Sequence, residues 1–170
     1  MKIYYREKSG GIEILRCFGM GGRVEIPGMI EDKLVVSAAP YAFSSHMDEK
    51  EELKNACLWK VSDGLGFGRE EHVLAGNDVE EIVFPDTLKE IGRYIFYGCG
   101  NLRKLEFSDS LMQIGCGAFT GCHALEKLTV HMRQGKKSGV KEMLGEMWQR
   151  IDVNFLYKYE EARLVFPEHY

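Results

Sequence analysis

The sequence lacks an excess of positive charge. Its 170 residues include 22 Lys and Arg against 26 Asp and Glu, which gives a formal net charge of −4 at pH 7. Proteins that bind nucleic acid or anionic membrane surfaces through charge need a broad positive field to attract phosphate groups. The composition therefore argues against both classes of partner.

Long apolar segments are also missing. No apolar run approaches the roughly 20 residues that a membrane-spanning helix needs, so we expect no membrane insertion. The first ten residues, MKIYYREKSG, carry charge, but no apolar core of a secretory signal peptide follows them. If Met1 is the natural start, the expected location is the cytoplasm, and the protein is secreted only if its true N-terminus has been removed.

Cysteine is scarce, and its five copies are an odd number. An odd count argues against a disulfide framework, so we expect reduced thiols. A bridge between Cys99 and Cys122 is geometrically conceivable, because the two residues occupy equivalent repeat positions, but it would require an oxidising compartment. With 45% hydrophobic residues, the chain can instead bury a continuous core, and its length suits one domain covering residues 1–170.

One pattern is present twice, and begins a third time, between residues 82 and 130. IVFPDTLKEIGRYIFYGCGNLRK is followed, at a spacing of 23 residues, by LEFSDSLMQIGCGAFTGCHALEK and then by LTV. A short period predicts stacked units that cannot bury their apolar faces alone. The positions that recur are Ile82, Phe84, Leu88, Ile91, Gly92, Phe96, Gly98, Cys99 and Leu102, which fall on Leu105, Phe107, Leu111, Ile114, Gly115, Phe119, Gly121, Cys122 and Leu125.

The runs L..L.F and L..IG..AF.GC..L resemble the BspA-type leucine-rich repeats of bacteria. The expected fold is α+β but β-rich: a right-handed leucine-rich-repeat solenoid with a parallel strand ladder, an N-terminal β-hairpin and a C-terminal capping helix. The resemblance also implies a hairpin and a glycine-rich turn before the first repeat, as well as roles in adhesion and in contact with proteins or host surfaces. The glycines that recur at equivalent positions, Gly92 with Gly115 and Gly98 with Gly121, are expected at sharp corners of each coil. Phe96 and Phe119 are expected to stack inside the core.

Residues 1–45 precede the regular repeats. Residues 1–22 contain two apolar runs around REKSGG, which predicts a hairpin cap. Its second strand is expected to place Ile12 and Ile14 on one face, with Arg16 as a further candidate for that face, and Glu13, Leu15 and Cys17 on the other. Residues 23–45 form a degenerate first repeat, in which VEIP matches IVFP. Val35, Ala38, Ala39, Tyr41 and Phe43 match Leu88, Ile91, Gly92, Tyr94 and Phe96.

Residues 46–79 interrupt the period before the regular repeats of residues 80–130. Asp48 and Glu51 form a capping box, and helical spacing follows it, so a helix is predicted from about Glu49 to Val61. The structure of residues 62–78 is left open by the sequence. Gly64, Gly66 and Gly68 lie in this stretch, but a flexible loop is a better interpretation than a phosphate-binding loop, because no Lys-Ser/Thr pair follows them.

Residues 131–170 are predicted to form a helix and strands, possibly leading into a further segment. Ser138 is the predicted N-cap of a helix with a wide apolar stripe. The helix is expected to cover the open end of the last coil, since the repeat stops at Val130. The stripe comprises Val140, Met143, Leu144, Met147, Trp148 and Ile151.

No motif in the sequence indicates catalysis, a metal site or a cofactor. Cys116, Cys122 and His123 are near one another, but no paired C-x-x-C spacing supports a zinc site. His46, His72, His123, His131 and His169 stand without a nucleophile motif beside them and are interpreted as solvated histidines.

Alternation along the repeat strands predicts an outward set of side chains that a partner would meet. The most direct hypothesis is a noncatalytic protein-binding or scaffold module, with another protein as its partner and with its oligomeric state undetermined. The alternatives are the recognition part of a larger enzyme and a surface adhesin. The outward residues are Glu81, Val83, Lys104, Glu106, Lys127 and Thr129.

Overall fold

The computed structural model describes residues 1–61, 71–133, 139–145 and 150–157. The strands of these ranges are β1 (Lys2–Lys8), β2 (Gly11–Gly19), β3 (Arg23–Glu25), β4 (Met29–Ile30), β5 (Lys33–Ala38), β6 (Cys57–Lys60), β7 (His72–Val73), β8 (Glu81–Val83), β9 (Glu90–Ile91), β10 (Lys104–Ser108), β11 (Gln113–Ile114), β12 (Lys127–Met132) and β13 (Asp152–Tyr157). The helices are α1 (Glu49–Glu52) and α2 (Val140–Leu144), and Gly76–Asp78 is a 3-10 turn.

The first sheet is a parallel ladder in the order β3, β8, β10, β12, β13. Ile82 pairs in register with Leu105, and Leu105 with Leu128, so the 23-residue period appears directly as strand pairing. This confirms the predicted parallel ladder and the β-rich solenoid. Val24 pairs with Ile82, which places the degenerate repeat as the first coil of the ladder.

The ladder continues beyond Val130, where the sequence predicted that it would stop. β13 pairs in parallel with β12 over six positions, from Lys127 opposite Asp152 to Met132 opposite Tyr157. That prediction was wrong because the spacing changes and the consensus residues disappear, although the alternation of inward and outward side chains persists. α2 lies in the connection between these two strands. Its Val140 and Leu144 are buried in the core.

Several predicted features of the C-terminal region lie outside the described residues. These are the N-cap Ser138, the stripe residues Met147 and Trp148, and the segment 158–170. Gly139 is the N-cap of α2. The helix therefore packs on the core between β12 and β13, and within the described residues the last element of the ladder is β13 rather than α2.

The second sheet runs in the order β11, β9, β5, β2, β1, β6. Its two repeat strands, β9 and β11, are short, because each one ends at the corner where the repeat places a glycine. Ala38 pairs with Ile91, and Ile91 with Ile114, as the repeat alignment predicts. A Cβ added to Gly92 or Gly115 would lie 2.4 Å or 2.2 Å from the backbone nitrogen of the preceding coil, so side chains are excluded at this corner.

The N-terminal hairpin extends this second sheet. β1 and β2 are antiparallel, and β2 pairs in parallel with β5, so the hairpin precedes the first coil as an added layer. The register between β1 and β2 shifts by one residue at this point: Tyr4 pairs with Arg16, whereas the next residue, Tyr5, pairs with Ile14. This bulge leaves Leu15 without a strand partner in β1 and changes which side chains share a face.

The predicted faces of β2 were therefore wrong beyond Ile14. Cys17 lies in the core cluster with Ile12 and Ile14, whereas Arg16 makes polar contacts. The Arg16 guanidinium donates to the carbonyl oxygens of Tyr41, Ala42 and Ser44 at 3.2, 3.2 and 2.6 Å, and its Nε lies 3.0 Å from a Glu49 carboxylate oxygen. A buried guanidinium thus joins the hairpin to the first coil.

The helix predicted from Glu49 to Val61 is only one turn long. Asp48 caps it by accepting from the Glu51 backbone N–H at 3.4 Å, as the capping box predicts. Asn55 then adopts a left-handed backbone, with φ 63°, and the chain continues as β6, antiparallel to β1. The prediction failed because the free edge of β1 offers hydrogen-bond partners that a local helical pattern does not reveal.

Aromatic side chains stack from coil to coil, the phenylalanines in or against the core and the half-buried tyrosines nearer the surface. The ring centroid of Phe96 lies 6.0 Å from that of Phe43 and 5.7 Å from that of Phe119, and Tyr41 stacks on Tyr94 at 5.6 Å. Phe43 and Phe96 are fully buried, but Phe119 is only partly buried. The prediction that Phe119 is a core residue equivalent to Phe96 therefore needs correction, since among the described residues Phe96 is the one aromatic ring that contacts it.

Candidate binding surface

The first sheet presents a polar surface on the side that faces away from the core. In β3, β8, β10 and β12, buried apolar side chains such as Val24 and Ile82 alternate with exposed or half-buried ones. In β13 the inward side chains Val153, Phe155 and Tyr157 are partly buried. We call the surface formed by these outward side chains the outer ladder face. All six residues that the sequence predicted as outward lie on it.

Strand register arranges the outer ladder face in two columns. The first column runs Arg23, Glu81, Lys104, Lys127, Asp152. The second column runs Glu25, Val83, Glu106, Thr129, Asn154. A shallow depression of about 140 Å³ lies on this face, and its lining includes Arg23 together with the six predicted residues. The register thus brings together residues from separate repeats.

Ion pairs concentrate at the N-terminal end of the face. The Arg23 guanidinium lies 2.5 Å from a Glu25 carboxylate oxygen and 3.4 Å from one of Glu81, and Lys104 Nζ lies 3.8 Å from the other Glu81 oxygen. The hydrogen bond to Glu25 is the main cause that raises the pKa of Arg23. Exposed pairs of this kind contribute little stability, so this charge arrangement is available for recognition.

A second polar group lies where β10 and β12 extend past β8. His131 Nε2 contacts a Glu106 carboxylate oxygen, and the His131 carbonyl accepts a hydrogen bond from the Asp109 backbone N–H at 2.9 Å. The buried Asp109 carboxylate accepts in turn from the Arg133 backbone N–H at 3.0 Å. These contacts hold Glu106 and His131 in place at one margin of the face.

Sequence analysis missed four members of the two columns. Arg23 and Glu25 flank Val24 in the degenerate repeat, and their outward position follows from the match of VEIP to IVFP, so a signal for them existed. Asp152 and Asn154 belong to β13, which has no consensus residues and stands 25 positions after β12. Only alternation along VNFLY could have indicated them.

The cysteines are all free, and the buried ones are poorly suited to nucleophilic chemistry. The Cys99 thiol donates to the Phe43 carbonyl at 3.1 Å, and the Cys122 thiol donates to the Phe96 carbonyl at 3.3 Å. Burial raises the pKa of Cys99 to about 12 and that of Cys122 to about 11. A reactive cysteine needs a lowered pKa, because the thiolate is the nucleophile.

The remaining chemical candidates are dispersed. Cys116 and His123 are exposed, and no group of three His, Cys, Asp or Glu suited to a metal occurs within the described ranges. The His46 ring packs edge-on against Tyr97, with centroids 4.7 Å apart, and His72 lies in β7. Gly64, Gly66, Gly68 and His169 are outside the described residues. No helix in the described part of the chain is long and apolar enough to cross a membrane.

Comparison with known proteins confirms the repeat family over the central part of the chain. Residues 70–140 match the family described as BspA type leucine rich repeat region (6 copies). Among solved structures, the chain is similar to a leucine rich repeat protein of T. pallidum (TpLRR), with 21% identity over 91% of this chain and 79% of that chain and a TM-score of 0.36. No curated protein matches the chain.

Proposed function

We propose that this chain, which carries a BspA-type leucine-rich repeat region, is a noncatalytic module that binds another protein through its outer ladder face. The observation that carries the proposal is the five-stranded parallel ladder, which aligns charged and polar side chains from five separate coils in two columns. A folded core alone does not require this arrangement. The exposed columns form a surface whose composition can change without disturbing the apolar side of the strands.

The dimensions of the face indicate the kind of binding to expect. Five strands spaced about 4.8 Å apart span roughly 19 Å, and a strand of six residues is about 20 Å long. The face therefore offers on the order of 400 Å², whereas a standard interface buries about 800 Å² per partner. We expect a partner either to bind transiently or to contact the neighbouring loops as well.

The chemistry of the buried cysteines, all of them within the described residues, supports the noncatalytic part of the proposal. Cys17, Cys99 and Cys122 have pKa values that burial raises to about 12, about 12 and about 11. The histidines of the described residues are spread among different elements and do not converge on one pocket. The depression on the outer ladder face is lined by five charged residues, by Thr129 and by the apolar Ile82, Val83 and Leu105, a mixture that suits recognition of a polypeptide surface.

Site-specific photocrosslinking tests the proposed surface. A photoreactive phenylalanine analogue would replace Val83 or Thr129 on the outer ladder face, or Met112 as a control. Met112 is 73% exposed and lies outside the two columns. In cells of the source organism, we expect a discrete crosslinked protein band with the first two variants and none with the Met112 variant.

The same experiment can reject the proposal. Crosslinking from position 112 without crosslinking from positions 83 and 129 would place the contact surface elsewhere. Circular dichroism should show the same fold for all three variants, because each position is outward or exposed. A well-folded variant set that captures nothing from positions 83 and 129 would contradict protein binding through this face.

A further inference from the structure

We infer that the partner presents acidic side chains to Lys104 and Lys127 of the first column, an inference that rests on the proposed function of the outer ladder face. Lys104 and Lys127 are register partners on adjacent strands. Their strands are about 4.8 Å apart, and like charges placed directly opposite each other in a sheet are destabilising. A carboxylate approaching both ammonium groups would relieve that repulsion.

The chain itself supplies too few carboxylates to this part of the face. Glu81 is shared, because its two oxygens lie 3.4 Å from Arg23 and 3.8 Å from Lys104. Asp152 is the register partner of Lys127 in β13, but within the described residues no carboxylate, Asp152 included, lies within ion-pair distance of Lys127. The first column as a whole contains three cations and two carboxylates, Glu81 and Asp152. It is a locally positive strip on a chain whose net charge is −4.

The second column carries negative rather than positive charge, and this restricts the class of molecule that can bind to the face. Its charged members are Glu25 and Glu106, and the remaining positions are Val83, Thr129 and Asn154. Successive outward residues of a strand are roughly 7 Å apart, so a negative strip runs beside the positive one. A continuous polyanion would meet repulsion from this second strip. A polypeptide complements both columns if it presents acidic side chains to the first column and neutral or basic side chains to the second.

Two peptide probes test this charge assignment directly. One is a nine-residue peptide of alternating Thr and Glu, and the other is a nine-residue peptide of alternating Thr and Lys. In ¹⁵N-resolved titrations of the whole chain at low salt, we expect the Glu peptide to shift the amide resonances of Lys104 and Lys127. The Lys peptide should not shift them, and 0.5 M salt should reduce the effect because it screens exposed charges.

Matched variants separate recognition from nonspecific attraction. Lys127→Glu should weaken binding of the Glu peptide by about tenfold, which corresponds to about 1.4 kcal/mol. Lys50→Glu, at an exposed position in α1 away from the ladder, is the control and should leave the affinity unchanged. Lys104→Glu provides a second ladder variant, and an unchanged circular dichroism spectrum would show that each variant is folded.

Specific results would overturn the inference. If the Glu peptide shifts the resonances of Lys50 as much as those of Lys127, or if Lys127→Glu retains full affinity, acidic recognition at this column is wrong. Crosslinking from positions 83 and 129 would then still support protein binding by another part of the same face. If the peptide binds as expected while crosslinking fails, the charge assignment stands and the proposed protein partner does not.

Discussion

Two copies of the same 23-residue pattern, residues 82–104 and 105–127, differ in how deeply they are buried. Phe96, Ile91 and Cys99 of the first copy are at most 1% exposed. Their equivalents in the second copy, Phe119, Ile114 and Cys122, are only partly buried. The chemical identity at these positions is the same or similar, so the difference must come from the neighbours of each coil.

The neighbours are indeed different. The Phe96 ring lies between Phe43 of the preceding coil and Phe119 of the following one. In the part of the chain that the structure describes, Phe96 is the one aromatic ring that contacts Phe119. The coil after Phe119 departs from the period, because β13 pairs with β12 at a spacing of 25 residues rather than 23. In a solenoid, therefore, the burial of a core residue depends on the next coil as much as on its own sequence.

The largest effect that this comparison predicts is on stability after truncation of the stacked rings. Phe96→Ala should lower the free energy of unfolding by about 3–5 kcal/mol, as truncation of a fully buried Phe does. Phe119→Ala should cost less, about 1–3 kcal/mol, because part of that side chain already contacts water. Urea denaturation of the two variants beside the wild type measures the difference.

Leucine substitutions at the same positions provide the control for ring truncation. Because Leu retains most of the apolar volume, both Phe96→Leu and Phe119→Leu should be milder than the alanine variants. Equal losses for Phe96→Ala and Phe119→Ala would mean that the second copy is as well covered as the first. That result would require a cover over Phe119 from residues beyond those described.

An effect of intermediate size is expected on how the free energy of unfolding depends on pH. Burial raises the pKa of Cys99 to about 12 and that of Cys122 to about 11, whereas an unfolded thiol titrates near 8.5. Between these values the unfolded state loses its thiol proton and the folded state keeps it. The unfolded state then binds fewer protons, so stability falls as pH rises above about 8.5.

Alanine variants isolate the contribution of each thiol. For Cys99 the slope approaches about 1.4 kcal/mol per pH unit over most of that window, and Cys99→Ala should remove it. Cys122→Ala should flatten the curve by a similar amount up to pH 10.5, because both folded pKa values, about 12 and about 11, lie above that pH. Urea midpoints between pH 8 and pH 10.5 test this, and a wild-type slope unchanged by Cys99→Ala would show that the Cys99 thiol is not protected.

Most of the ladder could be predicted from sequence because the period translates directly into strand register. The 23-residue spacing places Leu105 beside Ile82, and the weak match of VEIP to IVFP was enough to place Val24 beside them. β6 could not be predicted in this way. Its pairing partner is β1, more than 50 positions earlier, and the local sequence favours a helix.

The outer ladder face was partly predictable for the same reason. Glu81, Lys104 and Lys127 recur at one repeat position, so alternation alone shows that they share a face. Asp152 was missed because β13 follows after 25 residues without the consensus pattern. The contacts of Arg23 with Glu25 and Glu81 depend on side-chain positions that a repeat alignment does not specify.

The smallest expected effect concerns Lys104 and Lys127, which occupy equivalent outward positions of the two copies. Lys104→Ala loses a 3.8 Å ion pair with Glu81, but the Lys104 side chain is 50% exposed, so the cost should stay below about 0.5 kcal/mol. Lys127→Ala loses no ion pair among the described residues. It removes a like charge opposite Lys104 and an opposite charge facing Asp152, so the two changes largely offset each other. It should therefore be neutral or slightly stabilising.

Because the Debye length falls to about 3 Å in 1 M salt, the small difference between the variants should disappear there. A loss above about 1 kcal/mol for Lys127→Ala would contradict its place on the outer ladder face, since only a side chain packed into the core costs that much to truncate.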